Sequence, residues 1–218
     1  MGDLRVGFIG TGRISDLHAL GYLGDARARI VAVADLDRDL AASRARAWGV
    51  PEDRVYTDYA ELLAQPDVDL VEILLPHHLH CRAVLDAAAA GKHISLQKPM
   101  ALSVAEADEM VAATDAAGVF FKVYENFLFY PPVQRAKSLI EAGEIGEPLT
   151  IRIKSNAATS PNSWEVPASA WAWRFDRAQC GGGPLVFDDG LHKFSLAWHF
   201  MGLAEEVHAW IGATELFP

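Results

Sequence analysis

Five short apolar runs, each followed by a stretch of helical spacing, fill the first half of the chain. They are Leu4–Ile9, Ile30–Ala34, Leu70–Leu74, His93–Leu96 and Val119–Val123. None alternates cleanly between polar and apolar residues, as a strand with one wet face must, so each predicts a parallel strand covered on both sides. Between them Ser15–Leu23, Arg38–Trp48, Tyr59–Ala64, Leu79–Ala90 and Val104–Ala117 are spaced as helices. Gly24, Gly49, Gly91 and Gly118 stand where a left-handed helix cap is cheapest. This alternation predicts an α/β fold with a doubly wound parallel sheet and helices on both faces.

The pattern changes near residue 123. A helix is expected from Pro132 to Ala142, with proline tolerated in its first turn. "LTIRIKS" then sets Leu149, Ile151 and Ile153 against Thr150, Arg152 and Lys154, the signature of a half-buried strand in an open-faced sheet. "VHAWI" at 207–211 is a second strand candidate, and a helix is expected from about Val186 to Phe200. Residues 1–123 therefore read as one domain and 124–218 as an α+β domain with an open antiparallel sheet. The second domain is expected to be incomplete, since two strands do not make a stable sheet by themselves.

Charge narrows the partners. Lys plus Arg number 19 against 29 Asp plus Glu, a net charge of −10, so no basic surface for nucleic acid or anionic membrane is expected. No apolar run approaches a membrane span, and "VDLVEILL" is short and carries Glu72. Two cysteines imply no disulfide framework. A cytoplasmic protein is the expectation.

The turn "GTGRIS" follows the first run and opens the first helix. Gly10 and Gly12 take the first two positions of G-x-G-x-x-G, with Ser15 in place of the third glycine and Arg13 and Ile14 between. A strand–turn–helix of this kind lets backbone approach a pyrophosphate at a helix N-terminus, whose amides favour anions. Asp35 ends the second run, roughly 20 residues on, where a carboxylate can accept hydrogen bonds from an adenosine ribose. The alternative is a cap on the helix that "DLDRD" opens. The ribose role favours NAD; Arg38 keeps NADP as the alternative. Leu75, Pro76 and His77, with His80 further on, follow the third run, and ligands of such sheets lie beyond strand carboxyl ends. The nearby histidines lack a matching Cys, Asp or Glu set, so no metal is expected.

"HISLQKPM" places Gln97 and Lys98 at another such end, where a nicotinamide ring should lie. A hydroxyl that gives up hydride from its carbon must also lose a proton, and Lys98 is positioned to take it. Asp188 and His192 in "GGGPLVFDDGLHKF" are four apart, on one face of the helix they begin. Such a pair can orient an imidazole for proton transfer, or amount to a helix cap beside an incidental histidine. Asp189 is the rival partner. Trp164, Trp171 and Trp173 suit either a core or stacking on a sugar ring.

With "IGTGRISDLHA", "LPHHLHCRAVLDAAAAGKHISLQKPMA", "AGEIGEP" and "WRFDRAQCGGGPLVFDDGLH" in this order, the chain resembles the glucose–fructose oxidoreductase / inositol dehydrogenase / MocA family. The resemblance implies an NAD(P)-dependent oxidoreductase acting on sugars or polyols, and a homo-oligomer formed through the C-terminal sheet. By position, Lys98 looks like the lysine of the family's Glu-Lys-Pro motif, and Asp188 and His192 like its later Asp-x-x-x-His pair. Trp173 and Arg174 match a Trp-Arg pair implied to line the substrate cleft, and His18 and His80 stand where the family often has histidine. Gln97 replaces the usual glutamate, His77 stands where asparagine is common, and the glycine run holds one residue more before its aspartate. Family members are usually considerably longer.

The expected function is hydride transfer between a sugar or polyol carbinol and nicotinamide. Two alternatives remain: a redox-neutral enzyme (epimerase, dehydratase or glycosidase) with tightly held NAD, and a non-catalytic dinucleotide-binding sensor.

Overall fold

The computed structural model describes residues 3–155, 172–182, 184–210 and 212. The chain divides into two compact units, Met1–Tyr124 and Glu125–Pro218, each taken by itself below.

The first unit is built on β1 (Leu4–Ile9), β2 (Ala28–Ala34), β3 (Val55–Tyr56), β4 (Leu70–Ile73), β5 (His93–Gln97) and β6 (Phe121–Tyr124). They form a 6-stranded sheet in the order β3-β2-β1-β4-β5-β6, with every pairing parallel. The helices are α1 (Ser15–Leu23), α2 (Arg38–Trp48), α3 (Tyr59–Leu63), α4 (His80–Ala89) and α5 (Val104–Ala117). Asp37, Asp58 and Ser103 cap α2, α3 and α5 by accepting from backbone N–H groups of the first turn. Gly49, Gly91 and Gly118 adopt positive φ as expected, but Gly24 does not; at φ −87° it closes α1 in the ordinary right-handed region, open to any residue.

Alternation across the strands separates two cores. Val6, Phe8, Ile30 and Val33 face α1 and α2, where Phe8 packs on Tyr22 and Trp48 with ring centroids 5.7 and 5.0 Å away. Ile9, Val71, Ile73, Ile94 and Leu96 belong to the opposite core, with Leu62, Val84, Ala87 and Met110 from α3, α4 and α5. Continuous apolar runs are the consequence, because both faces are dry. Strand order reverses between β1 and β4, and loops leaving their carboxyl ends must part there, opening a crevice.

In the second unit α6 spans Pro131–Glu141, α7 Arg177–Cys180 and α8 Gly190–Met201. Lys137 of α6 donates to the His199 carbonyl of α8 at 2.8 Å. The last helix begins later than its periodicity suggests because Pro184–Asp189 is wound as a π-helix. The antiparallel sheet expected here is not formed among the described residues: 149–154 and 207–210 stand in no ladder. Side-chain alternation describes a surface, but a strand exists only where a neighbour takes its backbone hydrogen bonds. Residue 211 and the tryptophans Trp164 and Trp171 lie outside the described residues. Among the described residues no helix is long and apolar enough to cross a membrane.

Candidate functional site

The glycine turn leaves β1 under tight constraint. Gly10 has φ +91°, and a Cβ there would sit 2.5 Å from the Leu74 carbonyl oxygen, so the turn passes directly against the β4 loop. Gly12 is the opposite case, since a Cβ there would meet nothing within 4 Å. One glycine is needed for fit, while the other leaves open space where a ligand can reach backbone. Ser15 occupies the third glycine's place fully buried, its hydroxyl donating to the Gly12 carbonyl at 2.6 Å. Ile14 precedes α1 and no side chain caps that helix, which suits the first turn to an anion.

Asp35 stands at the end of β2, but its carboxylate also builds the turn. One oxygen accepts from the Thr11 N–H at 2.7 Å and from the Thr11 hydroxyl at 3.0 Å, and the other from the Asp37 N–H at 3.0 Å. The helix cap belongs to Asp37 instead. Thr11 is a site residue the sequence did not announce; its place between the two glycines was the available sign. The Arg38 guanidinium donates to the Val55 carbonyl at 3.1 Å.

Beyond β4, Leu75 and Pro76 are half-buried and His77 is buried. His80 is displaced from the expected role against the cofactor. It has no exposure, and its ring nitrogens lie 2.9 Å from the Pro99 carbonyl oxygen and 2.8 Å from that of Leu75. His80 thus stands between the loop after β4 and the loop after β5, and in its neutral form its one N–H donates to one of the two carbonyls. Burial dominates its titration and pushes its pKa down to about 4, although carbonyl acceptors pull the other way. At the end of β5, Gln97 Oε1 accepts from the Lys98 N–H at 2.8 Å.

In the second unit the expected Asp188–His192 pairing gives way to two other pairs. The Arg174 Nε donates to Asp188 at 2.8 Å, and the Arg174 guanidinium also lies over the Trp173 ring at 4.3 Å. His192 Nδ1 instead faces both carboxylate oxygens of Glu125, at 2.9 and 2.8 Å. Phe127 stacks on the imidazole, with centroids 4.0 Å apart and planes 6° from parallel. The physical reason is the π-helical winding that carries Asp188, so the face shared by residues four apart in an α-helix is not continuous here. Asp189 is taken by Lys193 at 2.5 Å. Glu125 was missed, its one signal being a carboxylate placed straight after the last strand. Donation from Nδ1 to Glu125 leaves Nε2 of a buried imidazole to gain or give a proton. Among the described residues no three His, Cys, Asp or Glu side chains gather as a metal set.

Comparison with known proteins places these features in a wider group. The description "oxidoreductase family, NAD-binding Rossmann fold" of GFO/IDH/MocA proteins matches residues 4–125, and that of their C-terminal domain matches 133–215. The chain is 33% identical to levoglucosan dehydrogenase of Pseudarthrobacter phenanthrenivorans, over 96% of this chain and 54% of that protein. It is 30% identical to myo-inositol 2-dehydrogenase of Thermotoga maritima, over 94% of this chain and 58% of that one. A solved structure of levoglucosan dehydrogenase in complex with NADH superposes with a TM-score of 0.74 at 30% identity, covering 92% of this chain and 54% of the other. The chain thus spans a little over half the length of these relatives.

Proposed function

Because the chain belongs to the GFO/IDH/MocA oxidoreductase family, we propose that it transfers hydride between a sugar or polyol carbinol and NAD. One observation carries the reading: a turn pressed against Leu74 at Gly10 yet open at Gly12, running into an uncapped helix. That is the environment a pyrophosphate needs. Gly10, Gly12, Arg13 and Ile14 would hold the phosphates and Asp35 the adenosine ribose, with Leu75, Pro76 and His77 beside the dinucleotide. The bound cofactor would supply the hydride acceptor. Asp35 would repel a 2′-phosphate, and Arg38 already spends a donor on Val55, so NAD is favoured over NADP.

The proton of the reacting hydroxyl is assigned to Lys98 and His192. His192 is supported by the Glu125 carboxylate on its Nδ1, and Asp188 by the Arg174 partner that fixes it. Trp173 with Arg174 offers an aromatic face and a cation for a polyhydroxylated ring. Sugars and polyols as the substrate class rest on the names of the levoglucosan and myo-inositol relatives. The alternating apolar side chains at 149, 151 and 153 support association of copies through this part of the chain, and the low cysteine content supports a cytoplasmic setting.

The test is a panel of aldoses, anhydrosugars and cyclitols with NAD, followed by absorbance of reduced nicotinamide. Accumulating NADH is expected. Turnover with no accumulation would replace the reading with a redox-neutral reaction. Binding of NAD with no turnover on any member would replace it with a sensor.

A further inference from the structure

A carboxylate in the middle of a parallel sheet needs a reason. Glu72 lies on β4 with no exposure, in register between Phe8 of β1 and the buried Ser95 of β5. Its two oxygens are both engaged: Oε1 lies 2.7 Å from His18 Nδ1, and Oε2 accepts from the Tyr22 hydroxyl at 2.5 Å. The other nitrogen of His18, Nε2, lies 3.1 Å from Gln97 Nε2, and Gln97 Oε1 accepts from the Lys98 backbone N–H. A continuous polar path therefore joins a buried acid to the residue assigned above to proton transfer.

Which way each bond points is fixed by the one donor in the path that cannot turn round. The Lys98 N–H is a backbone donor, so the amide atom facing it must be the carbonyl oxygen of Gln97. The Gln97 NH2 then faces His18 Nε2, which must present a lone pair. The imidazole proton is consequently on Nδ1, and the Glu72 oxygen opposite it must accept. Tyr22 completes the set as a donor, consistent with a hydroxyl whose pKa is raised by burial and then by the Glu72 charge. Every member is satisfied with Glu72 ionised and His18 neutral, the condition under which a buried polar network is tolerated.

We infer that Glu72, His18 and Gln97 are positioning residues, a proton-ordered chain that holds the backbone of Lys98, and that this chain requires an amide rather than a carboxylate at position 97. A glutamate there would accept from Lys98 equally well. Its second oxygen, however, would meet the lone pair of His18 Nε2, and only an added proton relieves that repulsion. Of the two groups the imidazole is the stronger base. The groups facing His18 are Glu72 on β4, Gln97 on β5 and the Tyr124 ring on β6, its centroid 4.7 Å away, with Tyr22 of α1 reaching Glu72 from the same helix as His18. The Lys122 ammonium lies over that ring, 5.9 Å from its centroid. Glu72 is thus the one carboxylate among these partners, and glutamate at 97 would add a second. The residue identities at 72 and 97 are matched to each other through His18.

The inference rests on the reading of Lys98 as a proton-transfer group only for its purpose. The network itself is tested without turnover, so the two fail separately. In the full chain labelled with 15N, the His18 ring nitrogens are assigned by their loss in His18→Asn. At neutral pH the wild type is expected to carry its proton on Nδ1 with Nε2 bare, and Gln97→Glu to carry protons on both. Gln97→Met is expected to leave the Nδ1 tautomer intact while the Lys98 amide exchanges about tenfold faster, the worth of one lost acceptor. A proton on His18 Nε2 in the wild type would overturn the inference without any variant. So would a singly protonated His18 in a folded Gln97→Glu protein, or unchanged exchange at Lys98 in Gln97→Met.

Discussion

At His80 two carbonyl oxygens, from Leu75 and Pro99, lie within 2.9 Å of the ring nitrogens of a side chain with no exposure. Burial holds its pKa at about 4 against an ordinary 6.5. The unfolded chain therefore takes up a proton as pH falls through 6.5 while the folded chain does not, and stability is lost progressively down to about 4. Between pH 7 and 5 this amounts to about 2 kcal/mol. Urea unfolding should show wild type losing that much relative to His80→Gln over the interval; parallel losses would mean that His80 contributes no such slope. His192 and Glu125 make a second residue-scale claim. Removing either should slow the reaction at least about 10²-fold, the usual worth of a positioned acid or base. Because they act as one unit, His192→Ala with Glu125→Ala should cost no more than the worse single change, whereas multiplying losses would separate their roles. The histidine could be picked out from its spacing to Asp188, but the carboxylate facing it stands 67 residues away in the chain, and no local pattern carries such a pairing.

Elements were legible where both faces are dry and illegible where a partner decides. Strands β1, β2, β4 and β5 announce themselves as apolar runs because two cores press on the sheet, with Phe8 in one and Ile9 in the other. At the edge, β6 alternates half-buried Phe121 and Val123 with exposed Lys122 and Tyr124 and, contrary to expectation, is not covered on both sides. Val55–Tyr56 was invisible, since two residues hold no period. At Leu149–Lys154 the alternation was clear, yet the ladder is not formed among the described residues, because pairing belongs to a neighbour and not to the segment. The glycine turn was legible as a motif, but the separate duties of its glycines were not, since those depend on what each Cβ would strike. This gives a paired prediction at the scale of β1 and α1. Gly10→Ala forces a side chain onto the Leu74 carbonyl at φ +91° and should destabilise by at least about 1–3 kcal/mol. Gly21→Ala, in the body of α1 with nothing within 4 Å, should stabilise by about 0.5–1 kcal/mol. Guanidinium unfolding of the two variants measures both; a harmless Gly10→Ala would refute the close approach.

At the scale of the whole molecule, the sheet order reverses between β1 and β4, and the proposed nucleotide would lie across that reversal. A ligand that binds only the folded chain stabilises it, by about 2.7 kcal/mol at a hundredfold excess over Kd. NAD should therefore raise the melting temperature, and NADP should do so less at equal concentration, if Asp35 stands where we propose, beside the position of the extra phosphate. Equal or larger shifts with NADP would remove the role given to that carboxylate. The most direct measurement is calorimetric titration of NAD into wild type and Gly12→Val. In the protein alone a Cβ at Gly12 meets nothing within 4 Å, so the variant should melt close to the wild type. In the complex the added side chain would take the place proposed for the pyrophosphate, and NAD affinity should fall at least about 100-fold, a loss of about 2.7 kcal/mol. A folded Gly12→Val that binds NAD as tightly as wild type would contradict the account.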